Sequence, residues 1–117
     1  METIETGTGR TRVRLNWRQW GADVHVHIAG GDHHLGAVAL VGRKPSGDLY
    51  EDVLCIPPHK EDELTLRVAK RLHQALGVNI CVSAGIHLDG ISRAEIDALL
   101  RNVDEGVGQL AKMSRSV

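Results

Sequence analysis

The chain has 117 residues, of which 42% are apolar and 25% are charged, and these ordinary shares argue against a disordered chain and favour one soluble domain. Trp17, Trp20 and Tyr50 are its only aromatic residues and the formal net charge is −1, so we expect neither base stacking nor a general attraction for the phosphates of nucleic acid. No apolar run approaches the ~20 residues that span a membrane.

The first half of the chain predicts four strands. Residues 1–9 are polar and lack an apolar period, so we expect a flexible N-terminus followed by a single domain over residues 10–117. Residues 10–17 and 22–30 alternate between apolar and polar positions, as half-buried strands do. Residues 35–42 follow a Gly-Gly-Asp-His-His turn, so residues 22–42 predict a β-hairpin. Residues 49–57 predict a fourth strand that ends at two prolines.

The second half predicts a helix, a strand and a second helix. Apolar residues recur at helical spacing from about residue 60 to residue 76, and Gly77 follows. Residues 78–87 form a continuous apolar run, typical of a buried strand, which we expect to lie parallel to the fourth strand. Ser92 and Glu95 form a capping box before the last helix. The order β-β-β-β-α-β-α predicts an α/β fold with a mixed sheet of about five strands and two long helices.

Several common enzyme motifs are absent from the sequence. It has no GxGxxG after a strand, no GxxxxGK[ST], no HExxH and no GxSxG, which leaves the corresponding enzyme classes without support. Cys55 and Cys81 lie in apolar strands and form no CxxC, so we predict packed, reduced and non-catalytic thiols. The N-terminal residues lack the apolar core of a secretion signal, so we expect a cytoplasmic protein.

Four of the seven histidines fall at the ends of predicted elements, where ligand sites gather: His33 and His34 in the turn, His59 at a helix start and His87 at a strand end. Backbone N–H groups and the helix dipole favour an anion at a helix start, so Lys60 is expected to bind a phosphate there. Ordinary helix initiation explains the same stretch equally well, because three acidic residues follow it.

Three segments together resemble the small LpdD-type prenylated-flavin chaperones, whose domain is similar to bacterial proteasome-assembly-chaperone-like folds. The segments are GGDHHLGAVAL at residues 30–40, HKED at residues 59–62 and AGIHLDGISRAEI at residues 84–96. The resemblance covers roughly residues 22–113 and implies the following cofactor-binding residues: Gly30, Gly31, Asp32, His34, His59, Lys60, Glu61, Gly85 and His87. His33 occupies a variable place of the pattern, and the resemblance assigns no role to His25 or His27.

The resemblance implies a non-catalytic chaperone. Such a protein holds reduced prenylated FMN, which a flavin prenyltransferase makes, and delivers it to a prenylated-flavin-dependent aromatic-acid decarboxylase. FMN itself would be a weaker ligand. We expect a symmetric homodimer, with the site either within one subunit or across two.

Two other functions are compatible with the same residues. His34, His59 and His87 would suit a zinc ion in a small metal-binding enzyme, although their spacing matches no known metal motif. Alternatively, the chain is a structural assembly partner that uses an apolar surface and needs no cofactor.

Overall fold

The computed structural model of the protein describes residues 2–58 and 61–115 and consists of one six-stranded mixed sheet and two helices. The strands are β1 (Glu2–Thr6), β2 (Val13–Trp20), β3 (Asp23–Gly31), β4 (Ala37–Arg43), β5 (Leu49–Cys55) and β6 (Ile80–His87). The helices are α1 (Asp62–Leu76) and α2 (Arg93–Arg115), and Gly9–Thr11 forms one turn of 3-10 helix. The predicted α/β class is confirmed, with six strands in place of about five. No described helix has the length and apolar character that a membrane crossing requires.

β1 lies in the segment for which the sequence predicts a flexible terminus, and for residues 2–6 that prediction is wrong. The strand pairs antiparallel with β2, with Ile4 opposite Leu15. Ile4 is only 6% exposed, and the Thr6 hydroxyl donates a hydrogen bond to the Asn102 carbonyl of α2 at 2.6 Å. A five-residue strand with one apolar side chain has no readable period, so contacts with distant residues decide its conformation.

The strand order is β1-β2-β3-β6-β4-β5, which overturns the predicted hairpin over residues 22–42. β6 lies between β3 and β4, parallel to β3 and antiparallel to β4. β5 pairs with β4 and not with β6. Because β5 and β6 both run antiparallel to β4, they are parallel to each other, as expected for the fourth and fifth predicted strands, with β4 between them. Residues 32–36, named here the crossing loop, therefore pass across the C-terminal end of β6 instead of turning tightly between neighbours.

The hydrophobic core lies between one face of the sheet and both helices. The inward positions that alternation predicts in β2 and β3 are confirmed, because the following side chains are at most 3% exposed: Val13, Leu15, Val24, Val26 and Ile28. At the start of α2, the Ser92 amide donates to Glu95 Oε1 at 3.0 Å and the Glu95 amide donates to Ser92 Oγ at 3.1 Å. These two bonds confirm the predicted capping box.

The opposite side of the sheet, named here the open face, has no helix over it among the described elements. Strand register places three rows of residues across this face: Arg18, His25, Cys81, Leu40 and Asp52; Asn16, His27, Ser83, Val38 and Leu54; and Arg14, Ala29 and Gly85. Leu40 is 47% exposed and Leu54 is 71% exposed. The open face is thus basic and histidine-rich towards β2 and, apart from Asp52, apolar towards β5.

Candidate functional site

Two glycines allow the crossing loop to rest against β6. A Cβ on Gly85 would lie closer to the His34 carbonyl group than Cβ atoms essentially ever lie to another atom, and one on Gly31 would collide with the His87 carbonyl oxygen in the same way. Gly31 also has a φ of 65°, a conformation that side chains disfavour. The Asp32 amide then donates to the His87 carbonyl oxygen at 3.0 Å. The glycines of the sequence motifs therefore provide space for a close backbone crossing.

Glu61 joins the three segments that the sequence singles out. It directly precedes α1 and is 9% exposed. Its Oε1 atom lies 3.3 Å from Nε2 of His34 in the crossing loop and accepts a hydrogen bond from the Ile86 amide of β6, also at 3.3 Å. Its Oε2 atom is buried and has no hydrogen-bond partner among the described residues. A buried carboxylate oxygen of this kind is costly unless a donor reaches it.

The side chains of His34 and His87 stand next to each other at this junction. Their ring centroids are 6.5 Å apart in an edge-to-face arrangement. His34 Nδ1 donates to the Asp32 carbonyl oxygen at 3.2 Å, which orients the ring towards Glu61. His87 Nε2 lies 2.9 Å from Asp89 Oδ1 at the surface. The junction thus presents imidazole and carboxylate groups together at one end of β6.

The predicted zinc ligands do not assemble as a set in the described part of the chain. His59 lies outside the described residues, as does Lys60. A different trio, Asp32, His87 and Asp89, has ligand atoms within 4.8 Å of one another, and all three residues are exposed. Exposed acidic residues group in this way without a metal, so the trio by itself does not support a metal centre.

Gly30 differs from the other predicted site residues in its direction. A Cβ added there would point into the helical layer, 3.2 Å from Leu99 Cδ2 and 3.4 Å from Ile86 Cγ2. Its lack of a side chain therefore serves the packing of α2 against the sheet, while its backbone remains beside the crossing loop. Of the predicted set, the fold brings together the polar groups of four residues: Asp32, His34, Glu61 and His87.

Sequence reasoning missed a histidine–serine pair on the open face. His27 Nδ1 lies 2.7 Å from Ser83 Oγ across the β3–β6 pairing. Burial lowers the pKa of His27, and the neighbouring His25, His33 and His34 lower it further. The apolar context of Ser83 in the sequence gave no hint of a polar partner, because β3 and β6 are far apart along the chain.

A basic cleft and an apolar cleft lie beside the crossing loop, each with a volume of about 270 Å³. The first, named here the arginine cleft, is lined by Gly9, Arg10, Arg12, Arg14, Ala29, Gly30, Gly31, His33 and Leu88. The second, named here the apolar cleft, is lined by Leu35, Gly36, Ala37, Val38, Leu54, Cys55 and Ile56. The crossing loop supplies His33 to one and Leu35 to the other. The alternating pattern of residues 10–17 had placed Arg12 and Arg14 only on the polar face of a predicted strand.

Comparisons with known proteins agree with the fold and name a family. The family model of the prenylated flavin chaperone LpdD-like domain matches residues 7–115. Among solved structures, the chain is similar to a chain of a novel chaperone complex for yeast 20S proteasome assembly, with a TM-score of 0.59 and 10% identity over 97% of this chain and 96% of that chain. At that identity the likeness concerns the fold alone. No curated protein matches the chain. Because the family model covers nearly the whole chain, the protein belongs to the LpdD-like prenylated flavin chaperone family.

Proposed function

We propose that the protein is a non-catalytic chaperone that binds reduced prenylated FMN and delivers it to an aromatic-acid decarboxylase. The flavin prenyltransferase that makes the cofactor would be the donor. Membership of the chaperone family supports this function. The observation that supports the site is the junction at Glu61, where a buried carboxylate oxygen lacks a described partner while its neighbour contacts His34 and β6.

The chemistry of the cofactor suits the groups around this junction. A reduced flavin has ring N–H groups and ribityl hydroxyls that donate hydrogen bonds, and Glu61 Oε2 is a buried acceptor that no described residue reaches with a donor. Asp32, His34 and His87 supply further polar groups at the same edge of the sheet.

The apolar cleft supports the proposal that the prenylated cofactor binds more tightly than FMN. The prenyl carbons add apolar surface that plain FMN lacks, and burial of such surface favours binding by roughly 25 cal/mol per Å². Leu54 and Ile56 are 71% and 59% exposed and offer a wall for it. We propose His59 and Lys60 as additional cofactor contacts, because they immediately precede Glu61 in the sequence.

Anaerobic titration with reduced prenylated FMN tests the proposed site. Glu61→Gln removes the charge of the junction carboxylate, and we expect at least about a tenfold loss of affinity, the scale of a hydrogen bond to a charged group. Glu63→Gln is the matched control, because Glu63 is exposed in the first turn of α1. We expect this variant to bind the cofactor with the affinity of the wild type. Equal affinity of Glu61→Gln and wild type would refute the site.

Delivery needs a separate measurement. We expect the loaded chaperone to activate a cofactor-free decarboxylase faster than the same concentration of free cofactor does under anaerobic conditions. We also expect light scattering to give the mass of a homodimer.

A wild-type protein that binds no flavin but holds stoichiometric zinc would support the metal-binding alternative. A protein that associates with the decarboxylase in the absence of any cofactor would support the structural-partner alternative.

A further inference from the structure

We infer that the arginine cleft binds the phosphate of the cofactor, with Arg12 and Arg14 as its principal ligands. This inference rests on the proposed function and adds a subsite to it. The cofactor-binding residues that the resemblance implies include neither arginine, and the sequence pointed instead to Lys60 before α1. The described residues that line the arginine cleft include three arginines and no carboxylate.

Strand pairing fixes where the two arginines stand. Arg14 lies opposite Ala29 in the β2–β3 ladder, and Arg12 directly precedes β2. Both residues border the end of β3 at Gly31, where the crossing loop begins. Their side chains are 51% and 40% exposed, so each guanidinium group is accessible from solvent while its stem rests on the sheet.

The local ion pairs leave positive charge in the cleft. Arg12 and Arg14 share the single carboxylate of Glu5, at 3.9 Å and 3.1 Å. The Arg12–Glu5 separation exceeds hydrogen-bond length, so this pair does not fix the Arg12 donors. Arg10 pairs with Glu95 at 2.6 Å and also donates to the Asp89 carbonyl. Three guanidinium groups are thus paired with only two carboxylates, which leaves a net positive charge. Planar guanidinium groups are also well suited to bidentate contact with phosphate.

The start of α1 offers a less favourable field for a dianion. Glu61, Asp62 and Glu63 follow one another there, and Glu61 is buried beside the crossing loop. Like charges repel most strongly where water is excluded. A phosphate at this end of α1 would therefore lie near three carboxylates and one lysine, whereas one in the arginine cleft would lie near three arginines whose two carboxylate partners, Glu5 and Glu95, do not line the cleft. Lys60 is then left to contact another part of the cofactor.

The crossing loop connects the phosphate subsite to the junction at Glu61. His33 lines the arginine cleft, and the next residue, His34, contacts Glu61. Two consecutive side chains therefore reach the two parts of the site. The two ends of a flavin mononucleotide match these two parts, because its phosphate lies at one end of the ribityl chain and its ring lies at the other.

The test compares reduced prenylated FMN with the same cofactor after its phosphate has been removed. For the double variant Arg12→Gln/Arg14→Gln we expect at least about a tenfold loss of affinity for the phosphorylated form and little change for the dephosphorylated form. Arg18→Gln is the matched control, since Arg18 lies on the same face of β2, stacks on Trp20 at 4.1 Å and lies outside the cleft. Lys60→Met is measured alongside it. Equal losses for the two ligands, no loss, or a phosphate-specific loss in Lys60→Met alone would overturn the inference.

A second measurement separates this inference from the proposed function. NMR titration of the wild type with inorganic phosphate should shift the amides of Gly31 and His33, and the double variant should abolish those shifts. If the wild type binds neither flavin, the proposed function fails, and the phosphate titration still decides whether the arginine cleft is an anion site. Absence of phosphate-induced shifts at these amides in the wild type would overturn the inference regardless of the flavin result.

Discussion

Gly85→Ala tests the crossing of the loop over β6, on which the whole candidate site depends. The added Cβ would lie closer than 3.0 Å to the carbonyl oxygen and carbon of His34, and 3.1 Å from its amide nitrogen. All three atoms belong to the backbone, so no side-chain rotation relieves the overlap. Ordinary van der Waals contact begins at 3.4 Å, and the loop must therefore withdraw from the strand.

The cost follows from what the withdrawal breaks. The Gly36 amide donates to the Ala84 carbonyl oxygen at 2.8 Å, and the Asp32 amide donates to the His87 carbonyl oxygen at 3.0 Å. Each bond contributes about 0.5–1.5 kcal/mol net, and overpacking adds about 1–3 kcal/mol. Replacing glycine by alanine within a strand returns roughly 0.5–1 kcal/mol. We expect a net loss of about 3 kcal/mol in the free energy of unfolding, which lowers Tm by about 10 °C for a domain of this length.

Thermal and urea unfolding measure this loss, with Gly42→Ala as the matched control. Gly42 is also a buried strand glycine, in β4, but the three atoms nearest to a Cβ added there all belong to the Asn79 side chain, and the overlap is with its terminal amide. That amide can rotate away, so we expect Gly42→Ala to change Tm by no more than about 3 °C.

Two results would refute the reasoning. If the Tm of Gly85→Ala equals that of the wild type, the crossing loop does not rest on β6. If both variants lose the same stability, the loss belongs to any strand glycine and says nothing about the crossing. The same displacement would move His34 away from Glu61, so the cofactor affinity of Gly85→Ala should fall with its stability.

Three further predictions concern the cap, a titrating histidine and the thiols. Ser92→Ala should lower the free energy of unfolding by about 0.5–2 kcal/mol with cofactor affinity unchanged; a large affinity loss at constant Tm would contradict the structural role. The folded pKa of His27 is lowered from 6.5, so its stabilising contribution is complete above that pH and is lost as the pH falls from 6.5 towards the folded pKa. His27→Asn should flatten this part of the stability profile in urea unfolding, and an unchanged slope would disprove the assignment. Cys55 and Cys81 should alkylate slowly in the folded protein, because both are half-buried and burial raises the pKa of Cys81; rapid alkylation with loss of cofactor binding would show that one of them serves the site.

The local pattern of the sequence determined most elements and their inward faces. Alternation in residues 22–30 placed Val26 inside and His25 outside, and helical spacing with the Ser92 cap located the last helix. These properties depend on residues a few positions apart, because strand and helix periods act over short distances. The same short segments also carried the family resemblance, which is why the glycine, aspartate and histidine motifs pointed to a site before their positions in space were known.

Only the tertiary structure decided how those segments meet. A hairpin and a loop that crosses a third strand have the same local sequence, and the insertion of β6 between β3 and β4 is a pairing between distant residues. That pairing brings Glu61 against His34 and makes Gly85 a crossing point. The arginine cleft arises in the same way, because Arg12 and Arg14 lie at the start of β2, and the end of β3 and the crossing loop complete the cleft around them. Local chemistry specifies the elements, whereas pairing between residues far apart in the chain decides the order of the strands.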